Sequence, residues 1–171
     1  MDDRGGSRSR PARLGVALLA ALLSAGCDRQ RIEALEVGVA TEADVRRQFG
    51  VPAAAHREAD GSTTLEYPRQ PEGRQNYMIT IAADGRMSAL RQVLERTVFA
   101  RVVPGLDRAQ VRRLLGRPAA TRRYALQQQE VWDWRYVEAQ ENRLYSVTFD
   151  ADGRVVAGAS TLDLRGVVPG E

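Results

Sequence analysis

Few residues in this chain could do covalent or metal chemistry. His56 is the only histidine, Cys27 is the only cysteine, and every one of the 25 basic residues is arginine. The lack of lysine excludes a Schiff-base lysine, a lysine general base and the lysine of a P-loop. A zinc site built mainly on Cys and His needs three or four such ligands close together, so that class of site is excluded too.

Two candidates for chemistry remain: a nucleophile activated by a histidine, and a calcium-binding loop. A Ser-His or Cys-His nucleophile would have to use His56, but the segment "AAAHREADG" is typical of a polar strand end that runs into a turn. The segment "DADG" at Asp150–Gly153 lacks the glutamate that a calcium loop needs at its twelfth position, where Thr161 stands. We therefore predict a chain without catalytic residues, metal site or cofactor, and not an enzyme.

The start of the chain is typical of an export signal. Four arginines within residues 1–13 precede the apolar run "LGVALLAALL" at Leu14–Leu23. That run is too short to cross a bilayer as a helix, which takes roughly 20 residues, and a basic leader before a short apolar core indicates secretion. We predict a signal peptide at residues 1–26.

The segment "LSAGC" that follows resembles the lipobox of bacterial lipoproteins. The resemblance implies that Cys27 becomes the lipidated N-terminus; the alternative is a plain secretory signal with an incidental free thiol. Removal of the arginine-rich leader would leave a nearly neutral chain. Because nucleic-acid binding needs a concentrated basic face, we predict no nucleic-acid partner.

Two pairs of segments show that the exported part is duplicated. "TEADVRRQFGVPAA" at Thr41–Ala54 matches "DRAQVRRLLGRPAA" at Asp107–Ala120, and "YMITIAADGRM" at Tyr77–Met87 matches "YSVTFDADGRV" at Tyr145–Val155. The two offsets, 66 and 68 residues, are nearly equal, so the order of elements is the same in both copies. A single unit of this length buries little apolar surface, which favours two copies packed side by side.

Each copy predicts a helix followed by strands. Thr41 and Asp107 are good N-caps, with Asp44 and Gln110 placed three residues later as a capping box requires. The strands alternate with period two, and Asp-Gly pairs mark the hairpin turns. The fold class is therefore α+β: two tandem repeats, each with helices packed on one face of an antiparallel sheet.

Polar residues of these strands are expected on the sheet face opposite the core. In "VWDWRY" the aromatic side chains Trp132, Trp134 and Tyr136 share one face, and Asp133 and Arg135 share the other. We expect Glu66, Asp133 and Arg135 to be exposed on that opposite face. They are the candidate partner-facing residues.

The second copy resembles the SmpA/OmlA, or BamE-like, family of envelope lipoproteins, which includes the small E subunit of the β-barrel assembly machinery. The segments that carry the resemblance are "PGLDRAQVRRLLGRP", "WDWRY" and "VTFDADGRV"; the first copy, from about Ile32 to Leu94, matches more loosely. Tandem copies also resemble secreted β-lactamase-inhibitor proteins, whose joined sheets form a concave protein-binding face. The matching positions are Gly105, Leu106, Val111, Leu114, Leu115, Gly116, Pro118, Trp134, Tyr136, Phe149 and Gly153.

The resemblance implies an organisation and a function. After the signal peptide we predict a first BamE-like repeat at residues 27–97, a second at 98–165, and a tail at 166–171. The implied function is a non-enzymatic lipoprotein that supports outer-membrane protein assembly or envelope integrity through protein contacts. The alternative is an inhibitor or binding module for another envelope protein, acting through the exposed sheet face.

The same resemblance implies partners and a location. Its partners would be envelope proteins, with the β-barrel assembly machinery as the candidate, and no small-molecule substrate is expected. The lipid anchor would face the periplasm from the outer membrane. The inner membrane is the alternative, because Asp28 directly after the cysteine resembles an inner-membrane retention signal.

Overall fold

The computed structural model describes residues 32–164. They fall into two compact units divided between Glu36 and Val37. In the short first unit the backbone N–H of Leu35 donates to the carbonyl of Ile32 at 3.0 Å. The predicted signal peptide, the predicted lipid site Cys27 and the predicted tail lie outside the described residues. No helix within residues 32–164 is long and apolar enough to cross a bilayer.

The second unit runs twice through a helix followed by four antiparallel strands, with one further short helix between the two sets. Each set of four strands forms its own sheet, in the order β1-β2-β3-β4 and β5-β6-β7-β8. The α+β class in two similar halves, predicted from the sequence, is confirmed. The elements are α1 Glu42–Phe49, β1 Ala54–Arg57, β2 Thr63–Pro68, β3 Asn76–Ile81, β4 Met87–Gln92, α2 Arg96–Phe99, α3 Arg108–Leu115, β5 Ala120–Tyr124, β6 Gln129–Glu138, β7 Glu141–Phe149 and β8 Val155–Leu162.

Both long helices begin with the capping boxes that the sequence predicts. The Asp44 N–H donates to the Thr41 hydroxyl at 3.3 Å, and the Thr41 N–H donates back to the Asp44 carboxylate at 2.9 Å. Asp107 and Gln110 make the same pair of bonds at the start of α3. The hydrogen bond from the Thr41 backbone is the main cause that lowers the pKa of Asp44 to about 2. Each cap satisfies N–H groups that have no partner within the helix.

The hairpins between β3 and β4 and between β7 and β8 share one geometry. Gly85 and Gly153 turn the chain with φ of 82° and 76°, a conformation that glycine adopts without strain. In both hairpins the register shifts just before the turn, at Thr80/Ile81 and at Thr148/Phe149. The repeated irregularity is a β-bulge, which the sequence comparison does not reveal.

The core of the first half lies between α1 and one face of the first sheet. Val45 and Phe49 of α1 are buried, and the Phe49 ring lies 5.2 Å from the ring of Tyr67 and 5.6 Å from that of Tyr77. Leu65 and Ile79 pair across the two central strands on this face. Alternation in the strands and the helical spacing of Val45 and Phe49 therefore produce this core as predicted.

The core of the second half is larger and more aromatic. Trp134 and Tyr136 of β6 are buried in one cluster with Leu115 of α3, and the Tyr136 ring lies 4.9 Å from that of Phe99. The ring of Phe99, from α2, stacks on that of Tyr145 at 4.0 Å. The Trp134 indole N–H donates to the carbonyl of Gly116 at 3.0 Å, which ties the aromatic row to the end of α3.

Helix α3 also packs against the first sheet. Met78 of β3 is buried in the same cluster as Val111, Leu115 and Trp134, so α3 lies between the two sheets. The first sheet is therefore covered on both faces, by α1 on one and by α3 on the other. The expectation that the face opposite the core stays open in both repeats is wrong for the first.

Candidate functional site

Glu66 lies at the junction between the two halves and is completely buried. Its carboxylate accepts a hydrogen bond from the backbone N–H of Arg117 at 2.8 Å, and from Nε and Nη2 of Arg112 at 3.3 and 3.4 Å. The Nε2 atom of His56 stands 3.5 Å from Oε2. The prediction that Glu66 is exposed is wrong, because the second half packs on the face to which its side chain points.

Asn76 is a second polar residue buried at this junction, and no sequence pattern indicates its role. Its side-chain NH2 donates to the carbonyls of Leu115 at 2.7 Å and Arg117 at 3.1 Å. The last carbonyls of a helix have no partner within the helix. Asn76 therefore caps the end of α3 from the other repeat.

Within residues 32–164 no helix covers one face of the second sheet, and we refer to that face as the open face. On β6, the side chains of this face are those that alternate with the aromatic row. The residues paired with them on β5 and β7 complete the face. Tyr124 and Val137 are exposed there by 43% and 51%. The open face consists of Arg122, Tyr124, Val131, Asp133, Arg135, Val137, Leu144, Ser146 and Thr148.

Asp133 lies on the open face, as the alternation predicts, but it is completely buried. The Ser146 hydroxyl donates to Oδ1 at 2.6 Å, and Nη2 of Arg122 lies 2.7 Å from Oδ2. A short carboxylate on a central strand is covered by longer side chains from its neighbours. The prediction that Asp133 is exposed is therefore wrong, and its charge is matched within the protein.

Arg135 is half-buried on the same face. Its Nη1 donates to the carbonyl of Pro71 at 3.1 Å, and its Nε lies 3.6 Å from the Asp163 carboxylate. The side chain of Gln70 donates to the Arg135 carbonyl at 2.7 Å and accepts from its N–H at 3.3 Å. The pairing of β5 with β6 extends only as far as Asp133. Beyond that residue, the Gln70 side chain makes the backbone hydrogen bonds to β6 that another strand residue would make. No sequence pattern indicates this contact between the repeats.

The open face combines apolar and charged side chains. Aromatic, aliphatic and arginine side chains lie side by side, a mixture that is enriched where proteins bind one another. Its carboxylate Asp133 is already paired with Arg122. Within residues 32–164, no three His, Cys, Asp or Glu side chains come together in a way that could hold a metal ion.

The second half matches a known family. Residues 92–158 match the outer membrane protein assembly factor BamE domain. The resemblance to the BamE-like family that the sequence predicts is confirmed over this range, and it indicates a role in the cell envelope. Of the first repeat, predicted at residues 27–97, the match includes only residues 92–97. No curated protein matches the chain.

Three solved structures are similar to the chain at low identity. A candidate osmotically inducible lipoprotein, OsmE, is 17% identical over 41% of this chain and 75% of its own, with a TM-score of 0.36. The DUF4309 family protein YjgB from Bacillus subtilis subsp. subtilis str. 168 is 15% identical over 76% and 83%, with a TM-score of 0.30. A candidate β-lactamase inhibitor protein from Streptococcus mutans is 12% identical over 81% and 97%, with a TM-score of 0.30. At these TM-scores the likenesses support no conclusion about this chain.

Proposed function

We propose that this chain is a non-enzymatic, lipid-anchored protein of the cell envelope that supports outer-membrane protein assembly or envelope integrity by binding other proteins. The observation that carries the proposal is the match of residues 92–158 to the BamE domain, whose family is named as an outer-membrane protein assembly factor. The anchor is Cys27, and the outer membrane is the favoured location, with the inner membrane as the alternative because of Asp28.

The open face is the surface that we assign to the partner. It belongs to the half that matches the BamE domain, and exposed apolar side chains on it, Tyr124 and Val137, are available to a partner. Of the three partner-facing residues predicted from the sequence, Asp133 and Arg135 lie on this face. Glu66 does not, because it is enclosed at the junction between the repeats.

Replacing Cys27 by alanine is expected to release the protein from the membrane fraction. Attachment through the acyl chains of a lipidated cysteine is stable because two or more chains together exceed what a single chain can hold. The measurement is separation of membrane and soluble periplasmic fractions, followed by immunodetection of the full chain. Leu126→Ala, an exposed-site change that leaves residues 1–27 intact, is the control and should stay with the membrane. Retention of the Cys27→Ala variant in the membrane fraction would contradict the lipid anchor.

Replacing Val137 by lysine is expected to reduce partner recovery several-fold without unfolding the protein. A charge placed on an exposed apolar contact opposes desolvation at an interface, whereas substitutions at exposed sites usually change stability by less than about 0.5 kcal/mol. The measurement is affinity capture from detergent-solubilised envelope with the full chain as bait. Val51→Lys is the matched control, since Val51 is 87% exposed and lies in the first repeat.

The identity of the captured protein distinguishes the two functions. Recovery of β-barrel assembly components, lost with Val137→Lys and kept with Val51→Lys, supports the assembly role. Recovery of one unrelated hydrolase with the same dependence supports the alternative of an inhibitor that acts through the same face. Equal recovery with both variants would show that the partner binds elsewhere. Charge reversal at Asp133 is unsuitable for this test, because it would place an unpaired charge inside the protein.

A further inference from the structure

A cleft opens beside the junction of the two repeats. Its volume is about 290 Å³, and it lies between the first sheet and the helices α2 and α3. Both halves contribute to its wall: His56 and Thr64 come from the first sheet and Leu114 from α3. A single repeat would not form it. The cleft is separate from the open face of the second sheet.

The lining of the cleft is mixed, with an apolar part formed by four side chains among eight polar or charged ones. Met78 and Val93 are buried beneath it, and Val98 and Leu114 line its helical side. Removing apolar surface from contact with water is favourable, so a ligand with a hydrocarbon part gains free energy by covering these side chains. The volume is at the low end of the range for ligand sites, which limits the occupant to a molecule smaller than a typical drug.

The rim of the cleft carries three guanidinium groups, of which one is neutralised. Nη1 of Arg113 lies 3.2 Å from the Glu58 carboxylate. Arg91 and Arg101 also line the cleft, and neither has a carboxylate partner among residues 32–164. Glu95, the other acidic residue of the lining, is exposed and keeps its negative charge, because the Thr97 hydroxyl that donates a hydrogen bond to it is neutral.

The nearby carboxylate of Glu66 does not balance these two arginines. It is completely buried and already accepts hydrogen bonds from Arg112 and from the Arg117 backbone. The three arginines of the lining therefore exceed its two carboxylates by one charge, and they lie in the same lining as the apolar side chains of Met78, Val93 and Leu114. Guanidinium groups bind carboxylates and phosphates through charge-assisted, often bidentate hydrogen bonds.

We propose that this cleft binds a small amphiphilic anion. Its carboxylate or phosphate group contacts Arg91 and Arg101, and its short apolar chain covers Met78, Val93 and Leu114. A cation is disfavoured by the two arginines, and a neutral apolar molecule leaves them without a partner. The ligand is bound and not converted, so the inference adds a binding site to the proposed function without making the chain an enzyme.

The test uses methionine methyl NMR on the full chain in detergent, with hexanoate as the probe. Met78 lies under the cleft, whereas Met87 is completely buried and pairs with Ile81 on the other face of the first sheet. Hexanoate is expected to shift the Met78 methyl signal with a Kd on the order of 1 mM, typical of so small a ligand. The Met87 signal should not move, and it reports in each variant that the fold is intact.

Variants and related probes decide the outcome. Arg91→Gln and Arg101→Gln should each weaken hexanoate binding about tenfold, the loss typical of one charge-assisted hydrogen bond. Arg57→Gln is the control, since Arg57 is exposed on the same sheet but does not line the cleft. Hexyl phosphate should also bind, and the probe with the lower Kd identifies the preferred head group. Equal binding of hexanol or hexylammonium, equal binding of inorganic phosphate alone, or no shift of Met78 with either hexyl anion would each overturn the proposal.

Discussion

Replacing Glu66 by alanine is expected to lower the free energy of unfolding by about 3 kcal/mol, because it removes one partner from a buried ionic group. The variant leaves the buried N–H of Arg117 without an acceptor and the Arg112 guanidinium without its carboxylate. It also leaves a cavity between the first sheet and α3. The measurement is urea denaturation of the full chain followed by circular dichroism.

Two further variants serve as controls for Glu66→Ala. Glu42→Ala removes an exposed carboxylate that pairs with Arg46 at 2.7 Å, and such pairs contribute less than about 1 kcal/mol. Glu66→Gln keeps an acceptor for the Arg117 N–H and should fall between alanine and the native protein. If Glu66→Ala is no more destabilising than Glu42→Ala, the buried carboxylate does not hold the two repeats together.

Local sequence signals were sufficient to predict most of the fold. The capping pairs at Thr41 and Asp107 define where the two long helices begin, and both boxes are formed as predicted. Alternation in "VWDWRY" places Trp134 in the core and Asp133 on the opposite face. These signals succeed because helix capping and strand alternation depend on residues only a few positions apart.

The exposure of the candidate site residues depends on contacts that no local pattern encodes. Alternation correctly turns Glu66 away from the first core, but the second repeat covers that face with a helix 46 residues further along the chain. Asp133 is covered by Arg122 from one neighbouring strand and bonded to Ser146 from the other. The same long-range packing forms the cleft lined by Arg91, which no spacing in the sequence indicates.

Replacing Trp134 by alanine is expected to lower the free energy of unfolding by about 4 kcal/mol, the range found when a fully buried aromatic side chain is deleted. Trp134 is completely buried among Met78, Leu115 and Tyr136, so its loss opens a cavity that touches both repeats. The Gly116 carbonyl at the end of α3 also loses its hydrogen-bond donor. Domains are typically stable by only about 5–15 kcal/mol, so this single change removes a large part of the total.

The neighbouring tryptophan provides the matched control for this variant. Trp132 shares the aromatic face but is only partly buried: its ring lies 5.0 Å from that of Phe149, and its indole N–H donates to Glu130 at 2.9 Å. Trp132→Ala should therefore cost about 1–2 kcal/mol, since part of the site stays in water before and after the change. Thermal and urea unfolding of both variants, followed by circular dichroism, measure the difference. Equal losses would contradict the central position of Trp134, because the two substitutions delete the same side chain and differ only in what surrounds it.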